Sequence, residues 1–223
     1  MEEHVVRILE TGPVTHNVKL FRVEKPVGYA FIPGQATEIS VNTPELKYEM
    51  RPFTFTGLTS SPYLEFIIKR YPERRGVTDA LHRLDVNDEL ILHDVFGELT
   101  FRGTGVFIAG GAGITPFISI FRNLEKEGQL KENYLIFGNK ARRDIILEKE
   151  LRNLLGDNFV NILSEEPLPD HFFGFIDEDL LKSTIKSFDT RFYVCGPPPM
   201  MDYVVPALKK LGASDEAITI EAM

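Results

Sequence analysis

The periodicity of this chain changes once, near residue 102, and that change restricts the fold more than any other feature. Before it, short segments alternate in the manner of β-strands: HVVRILETGPV, VKLFRVEKPVG, TEISV, RPFTFTG, YLEFIIKRY and DELILHDVFG. Gly, Pro, Asn or Ser clusters separate them. Six such segments, interrupted only by the short helical stretch TDALHRL, predict a β-barrel or sandwich. After RGTG comes the fully apolar run GVFIAG, then glycines, then ITPFISIFRNLEKEGQ with helical spacing at Phe117, Ile120, Phe121 and Leu124. NYLIFGN, DIILEKELRNLLG, FVNILSE, DEDLLKSTIK, RFYVCG and PMMDYVVPALKKLG continue the alternation of strand and helix. That order predicts a parallel sheet covered on both faces. The expected architecture is two domains, with the β-barrel or sandwich over 1–101 and an α/β parallel-sheet domain over 102–223.

Charge and cysteine content remove several classes of function. A net charge of −8 disfavours non-specific binding to nucleic acid or anionic membranes. No apolar run reaches the ~18 residues of a membrane span, and the start MEEHVVRILE lacks the pattern of a signal peptide. A cytoplasmic protein without membrane insertion is expected. The lone Cys195 forbids an intramolecular disulfide or an all-cysteine iron–sulfur site within this chain. The five histidines lack metal-ligand spacing, so no metal is expected.

Three stretches carry candidate chemistry. In RPFTFTG, a period of two puts Arg51, Phe53 and Phe55 on one face, with Pro52, Thr54 and Thr56 on the other. A cation beside rings, with hydroxyls next door, is unusual cargo for a core strand. GGAGITP, from Gly110 to Pro116, lies between a buried-type strand and an amphipathic helix. Glycines there let the backbone approach a pyrophosphate, and the helix start supplies N–H donors. Pro116 stands where the usual dinucleotide fingerprint has its third glycine, a position in the first helical turn that tolerates proline. YVCGPPPMM closes another parallel strand, so Cys195 and Gly196 face the same sheet edge and present a small uncharged surface.

In their order along the chain, RPFT, GVTDAL, GGAGITP, CGPPPMM and the nearly terminal Glu221 resemble the ferredoxin–NADP reductase superfamily, most nearly its smaller flavodoxin and ferredoxin reductases. The resemblance implies an antiparallel flavin-binding β-barrel followed by a nicotinamide-binding sheet. It assigns Arg51 to a cofactor phosphate, Pro52 and Phe53 to the flavin's surroundings, and Thr54 to the N5 edge that takes up the hydride. It nominates Ile68 and Lys69, in IIKRY, as backbone neighbours of the flavin. Gly76, Val77 and Thr78 form the second half of that site, with Thr78 expected to cap the short helix and serve the pyrophosphate. Gly111, Gly113, Ile114 and Thr115 are assigned to the dinucleotide turn, and Cys195, Gly196, Pro197 and Met200 to the nicotinamide. Thr54, Cys195 and Glu221 are the expected catalytic residues. Two positions depart from the family pattern: Phe53 stands for its usual tyrosine, and Met223 for a terminal aromatic.

A pyrophosphate-binding helix implies FAD rather than FMN as cofactor, with NADH or NADPH as electron donor. Phosphate-selective relatives place Ser-Arg after the strand matching FVNILSEE, whereas Ser164 is followed here by Glu165 and Glu166. Two carboxylates favour NADH, and the NKARR stretch with Lys140, Arg142 and Arg143 is the opposing influence. The implied function is an oxidoreductase passing electrons to a small redox protein such as flavodoxin or ferredoxin. A small-molecule acceptor (free flavin, ferric iron or a quinone) and a subunit of a larger oxidase are the alternatives, and the oligomeric state stays open.

Overall fold

Strands β1 (His4–Thr15), β2 (Val18–Glu24), β3 (Ala36–Val41), β4 (Arg51–Thr54), β5 (Tyr63–Lys69) and β6 (Glu89–Phe96) pair antiparallel in the order β4-β3-β6-β1-β2-β5. The coordinates are a computed structural model that describes residues 3–71 and 76–222. Val6 and Ile8, Phe21 and Val23, Ile39 and Val41, Leu64, Phe66 and Ile68, and Leu90 and Leu92 alternate into one core. Helix α1 (Val77–Leu81) contributes Val77, Ala80 and Leu81 to the same core. The two ends of the strand order meet where Phe55 bridges Phe66 and the Thr56 amide donates to the Glu65 carbonyl at 2.9 Å. That contact closes the barrel.

The closure corrects the simple alternation expected of RPFTFTG. Strand β4 ends at Thr54, and exposure falls steadily along the segment instead of alternating. Arg51 and Pro52 are exposed, Phe53 and Thr54 half-buried, Phe55 and Thr56 fully buried. The cause is geometric: the chain leaves the edge of β3 and crosses to β5. Phe55 then stacks on Phe31 with centroids 4.2 Å apart, and is core rather than cofactor surface.

The first unit comprises Met1–Thr100 together with Thr115–Asn123, the first nine residues of helix α2 (Thr115–Lys126). Those nine residues are bound by side chains. Ser119 Oγ donates to the Gly57 carbonyl at 2.8 Å, and Arg122 donates to the Thr56 carbonyl at 2.9 Å. Arg122 also pairs with Glu65, which is 2% exposed and further bonded to Arg22 and to the Thr56 hydroxyl, each at 3.0 Å. Burial opposes ionisation of Glu65, yet Arg122, Arg22 and Thr56 together hold its carboxyl below the ordinary range.

The second unit comprises Phe101–Ile114 and Leu124–Met223. Its strands β7 (Gly105–Gly110), β8 (Tyr134–Asn139), β9 (Phe159–Leu163), β10 (Phe172–Phe173), β11 (Arg191–Gly196) and β12 (Ile218–Ala222) are parallel, in the order β10-β9-β8-β7-β11-β12. Helix α3 (Glu148–Leu155) follows β8, while α4 (Glu178–Thr184) and α5 (Pro198–Lys210) lie on either side of β11 in the chain. On one sheet face Val106, Ile108, Ile136, Ile162, Phe192 and Val194 pack with Leu180 and Leu181 of α4 and Val204 and Leu208 of α5. The opposite face carries Phe107, Leu135, Phe137 and Tyr193, all fully buried. Tyr193 stacks on Phe107 at 4.4 Å, donates its hydroxyl to the Gly103 carbonyl at 2.7 Å and accepts the Arg102 amide at 2.9 Å.

Candidate functional site

Register brings the two glycine-bearing motifs together at the carboxyl edge of the parallel sheet. Asn161, Phe137, Ala109, Cys195 and Glu221 form one row across β9, β8, β7, β11 and β12. The next residues along three of these strands are glycines: Gly138, Gly110 and Gly196. Beyond β7 the chain turns sharply, with Gly111 at φ +53°, through Ala112, Gly113 and Ile114. Thr115 then opens α2, with Pro116 inside its first turn. Gly113 rests directly on the end of β11, since a Cβ there would stand 2.2 Å from the Cys195 carbonyl oxygen. A Cβ on Gly110 would meet Met200 Sδ at 2.6 Å, and one on Gly196 would meet Met200 Cε at 2.6 Å. At Gly113, against fixed backbone, only glycine permits the approach, whereas the Met200 atoms over Gly110 and Gly196 end a flexible side chain. Pro197 caps α5 at its start, and its carbonyl accepts the Met200 amide at 2.9 Å.

Burial raises both ionisable groups of this edge. Cys195 is 1% exposed, and burial, aided by the neighbouring Glu221 carboxylate, pushes its thiol far above the ordinary range. A protonated thiol is no nucleophile, so Cys195 supplies a small surface rather than a covalent bond. Burial also raises the Glu221 carboxyl, whose Oε2 is buried with no hydrogen-bond partner among the described residues. An orphaned acceptor beside a bare glycine edge fits an uncharged N–H donor, such as a carboxamide, approaching that edge.

The residues nominated for the flavin lie in the first unit. The exposed Arg51 guanidinium donates to the Met50 carbonyl at 2.7 Å and stands 4.0 Å from Glu49. Phe53 is half-buried and packs on the barrel core, while Thr54 is half-buried beside it. Ile68 is buried and Lys69 half-buried at the end of β5, in register with Lys19 and Val18. One expectation is corrected here. Gly76, not Thr78, is the N-cap of α1, and no side chain caps it; Thr78 sits one residue inside the first turn. The cap position falls on a residue without a side chain, so no side chain serves the first-turn amides of α1, and the Asp79 amide donates to the Gly76 carbonyl at 3.0 Å. Arg70 donates to Asp79 at 2.7 Å, and Arg83 pairs with the same carboxylate. Arg70 and then Arg83 keep the Asp79 carboxyl below its ordinary range, against the opposing effect of burial. Arg74 and Arg75 of the KRYPERR cluster, like Met223, lie outside the described residues.

A third group sits after β8 and β9. The Ser164 amide donates to the Asn139 carbonyl at 3.0 Å, and the Glu165 amide to the Lys140 carbonyl at 2.8 Å. Lys140 Nζ lies 3.0 Å from Glu165, and the Arg142 amide donates to Glu166 at 2.7 Å. The Arg142 side chain turns to Glu148 at 3.2 Å. The basic stretch and the two glutamates are therefore partners in one zipped pair of turns. Beside them lie residues that sequence reading missed: Phe172, Phe173 and Phe175 are exposed, and the Gly174 amide donates to the Leu163 carbonyl at 2.9 Å. Three rings within HFFGF, outside any helical or strand pattern, were the available signal.

Among the described residues no three His, Cys, Asp or Glu side chains gather as a metal site, and no helix is long and apolar enough to cross a membrane. Residues 107–205 match the family of oxidoreductase NAD-binding domains. Over 95% of its length the chain is 28% identical to the propane 2-monooxygenase reductase component of Rhodococcus jostii, of which it spans 61%. It is 26% identical to human NADH-cytochrome b5 reductase 1, covering 96% of this chain and 84% of that one. In fold it matches a ferredoxin NADP+ reductase from Neisseria gonorrhoeae with bound FAD and NADP, at a TM-score of 0.85 and 21% identity over 100% of this chain and 99% of that one. In fold the chain thus resembles the ferredoxin–NADP reductases, with an antiparallel barrel followed by a parallel sheet, and residues 107–205 match the oxidoreductase NAD-binding domains.

Proposed function

We propose that this chain is an FAD-dependent reductase that takes a hydride from NADH and passes electrons to a small redox protein. The observation that carries the reading is the contact of Gly113 with the Cys195–Gly196 backbone, beside the unpartnered Glu221 carboxyl. A glycine turn at the sheet edge is suited to a dinucleotide pyrophosphate. The protonated thiol and the unpartnered carboxyl oxygen beside it are suited to a carboxamide-bearing ring.

When bound, FAD accepts two electrons as hydride and releases them singly. The chain's own residues bind and orient. Arg51 holds a phosphate by charge-assisted hydrogen bonds, Pro52 and Phe53 provide an apolar wall, and the Thr54 hydroxyl serves the ring's N5 edge. Backbone at Ile68 and Lys69 flanks the ring, and first-turn amides at Gly76, Val77 and Thr78 take the pyrophosphate, which favours FAD over FMN. For the donor, Gly111, Gly113, Ile114 and Thr115 receive the pyrophosphate, and Cys195, Gly196, Pro197 and Met200 border the nicotinamide. Glu221 accepts from its carboxamide. Glu165 and Glu166 favour a free 2′-hydroxyl over a 2′-phosphate, because they already balance Lys140 and the Arg142 amide. The acceptor protein is proposed on the pattern of relatives named as reductase components.

The deciding experiment is flavin identification on the purified protein, followed by stopped-flow reduction with NADH and with NADPH. The reading requires released FAD and faster reduction by NADH at equal low concentration. FMN, or no flavin after reconstitution, would overturn it.

A further inference from the structure

We propose that His82 is a positioning residue for the flavin site, holding the carboxyl end of β5 against α1 through a hydrogen bond to the Ile68 carbonyl. The inference rests on the flavin reading of β5 and α1 given above. His82 closes α1 at its C-cap, and its Nε2 lies 2.8 Å from the Ile68 carbonyl oxygen, fourteen positions back in the chain. A carbonyl can only accept, so Nε2 carries the proton and the neutral ring is the Nε2–H tautomer. This bond joins the two backbone segments nominated for the cofactor, Ile68–Lys69 and Gly76–Thr78, at the base of the loop between them. A second tie runs parallel to it, from Arg70 to Asp79 at 2.7 Å. Lys19 secures the far side, donating to the Leu84 carbonyl at 2.6 Å and the His82 carbonyl at 3.4 Å. The imidazole edge meets the Phe21 ring with centroids 6.3 Å apart.

The two ties differ in kind. Arg70 and Asp79 keep their charges at any physiological pH. His82 does not. Burial, with Arg70 and Lys19 facing it, holds the imidazole below its ordinary range, and the Ile68 carbonyl and Asp79 oppose that shift without cancelling it. The folded segment therefore binds fewer protons than the unfolded one between the lowered value and the ordinary value of about 6.5. Protonation keeps the Nε2–H donor but buries a cation beside Arg70 and Lys19, so stability is fully present above that window and is lost as pH falls through it. Neither Arg70 nor Asp79 accounts for such a loss, so acid weakens the β5–α1 junction at one residue.

The test uses the full chain, with FAD binding followed by visible absorbance and fluorescence from pH 8 to pH 5. His82→Gln keeps a side-chain N–H donor without a titratable group, and His82→Leu keeps bulk without a donor. Wild-type protein is expected to lose about tenfold in FAD affinity across that range, as a buried imidazolium loosens the junction. His82→Gln should bind within about threefold of wild type at pH 8 and lose the dependence, since it retains an N–H donor for Ile68 and has no group to titrate. His82→Leu should bind weakly throughout. Hydrogen exchange of the flavin-free protein is the second measurement, read on peptides covering 64–71 and 77–84. Protection there, relative to the intrinsic exchange rate at each pH, should fall at low pH in wild type and at every pH in His82→Leu. If wild type binds no FAD yet shows this exchange pattern, the flavin reading fails and the tie stands. If His82→Gln keeps the wild-type pH dependence, or behaves as His82→Leu does, the proposal is overturned.

Discussion

Replacing Glu221 by Gln should stabilise the second unit at neutral pH while slowing hydride transfer. Glu221 ends a row of otherwise apolar or uncharged residues, its Oε2 is buried without a partner among the described residues, and burial raises its carboxyl. A carboxyl raised on folding takes up protons in the folded state above the unfolded value near 4.3. Stability therefore falls as pH rises through the window between the two values. An unsatisfied buried polar group costs about 1–3 kcal/mol, and Glu221 is half-buried, so the lower end applies, about 1 kcal/mol. For a unit of this size that corresponds to a rise of roughly 2–8 °C in melting temperature at pH 8. Urea and thermal unfolding, followed by far-UV circular dichroism, should show the gain at pH 8 and its disappearance near pH 4, where both side chains are uncharged. Stopped-flow reduction by NADH should slow in the same variant, the mark of a strained group retained for function. A variant that is less stable at pH 8, or whose gain persists unchanged at pH 4, would refute the assignment of the penalty to a buried charge.

Gly113→Ala should destabilise by about 1–3 kcal/mol through overpacking and raise the KM for NADH, because the added carbon meets backbone atoms of Cys195; unfolding curves and steady-state kinetics measure both effects. Cys195→Ser should fold with an unchanged circular dichroism spectrum yet slow flavin reduction in stopped flow, and normal reduction would leave the thiol as packing alone. Arg51→Ala should weaken FAD retention by on the order of 1.5–3 kcal/mol, read by equilibrium dialysis, as a charge-assisted contact is lost. Glu165→Arg removes the partner of Lys140 and adds a cation, so NADPH should gain about tenfold in kcat/KM relative to NADH; a wild-type preference for NADPH, abolished by Arg142→Ala or Arg143→Ala, would make the basic stretch the selector.

Local pattern was legible in the sequence; long-range pairing was not. Each barrel strand announced itself by alternation, as in YLEFIIK, where Leu64, Phe66 and Ile68 enter the core. The helix after GGAGITP was equally plain, because its apolar positions repeat at helical spacing. Glu65 shows the limit. In sequence it is the polar member of an alternating strand and reads as solvated, yet it is buried by Arg122, fifty-seven positions away. Strand β12 was hidden for a related reason: ITIEA is short, and nothing in it shows that it will lie beside RFYVCG. RPFTFTG misled because its period of two is real for four residues and is then broken by the crossing to β5. His82 reads as an ordinary residue at a helix end until the fold brings the Ile68 carbonyl to it.

The position of the nicotinamide-side residues follows from parallel pairing itself. In a parallel sheet every strand delivers its carboxyl end to the same edge, so residues remote in sequence arrive together if the register agrees. Here the register sets Gly110 beside Gly138, and Gly196 one step beyond Cys195. Side chains at these ends would fill the edge; their absence leaves backbone on which another backbone can rest, as Gly113 does on Cys195. These glycines do not carry equal demands. A Cβ on Gly138 would meet the flexible end of Ile176 at 3.2 Å, whereas one on Gly113 would meet fixed backbone at 2.2 Å. Below the glycines the row turns to buried Ala109, Phe137 and Cys195, which cannot shift without opening the core. A rigid apolar floor under a bare edge fixes where a dinucleotide can approach, and it leaves Glu221, on the last strand, as the unsatisfied group that such a ligand would meet.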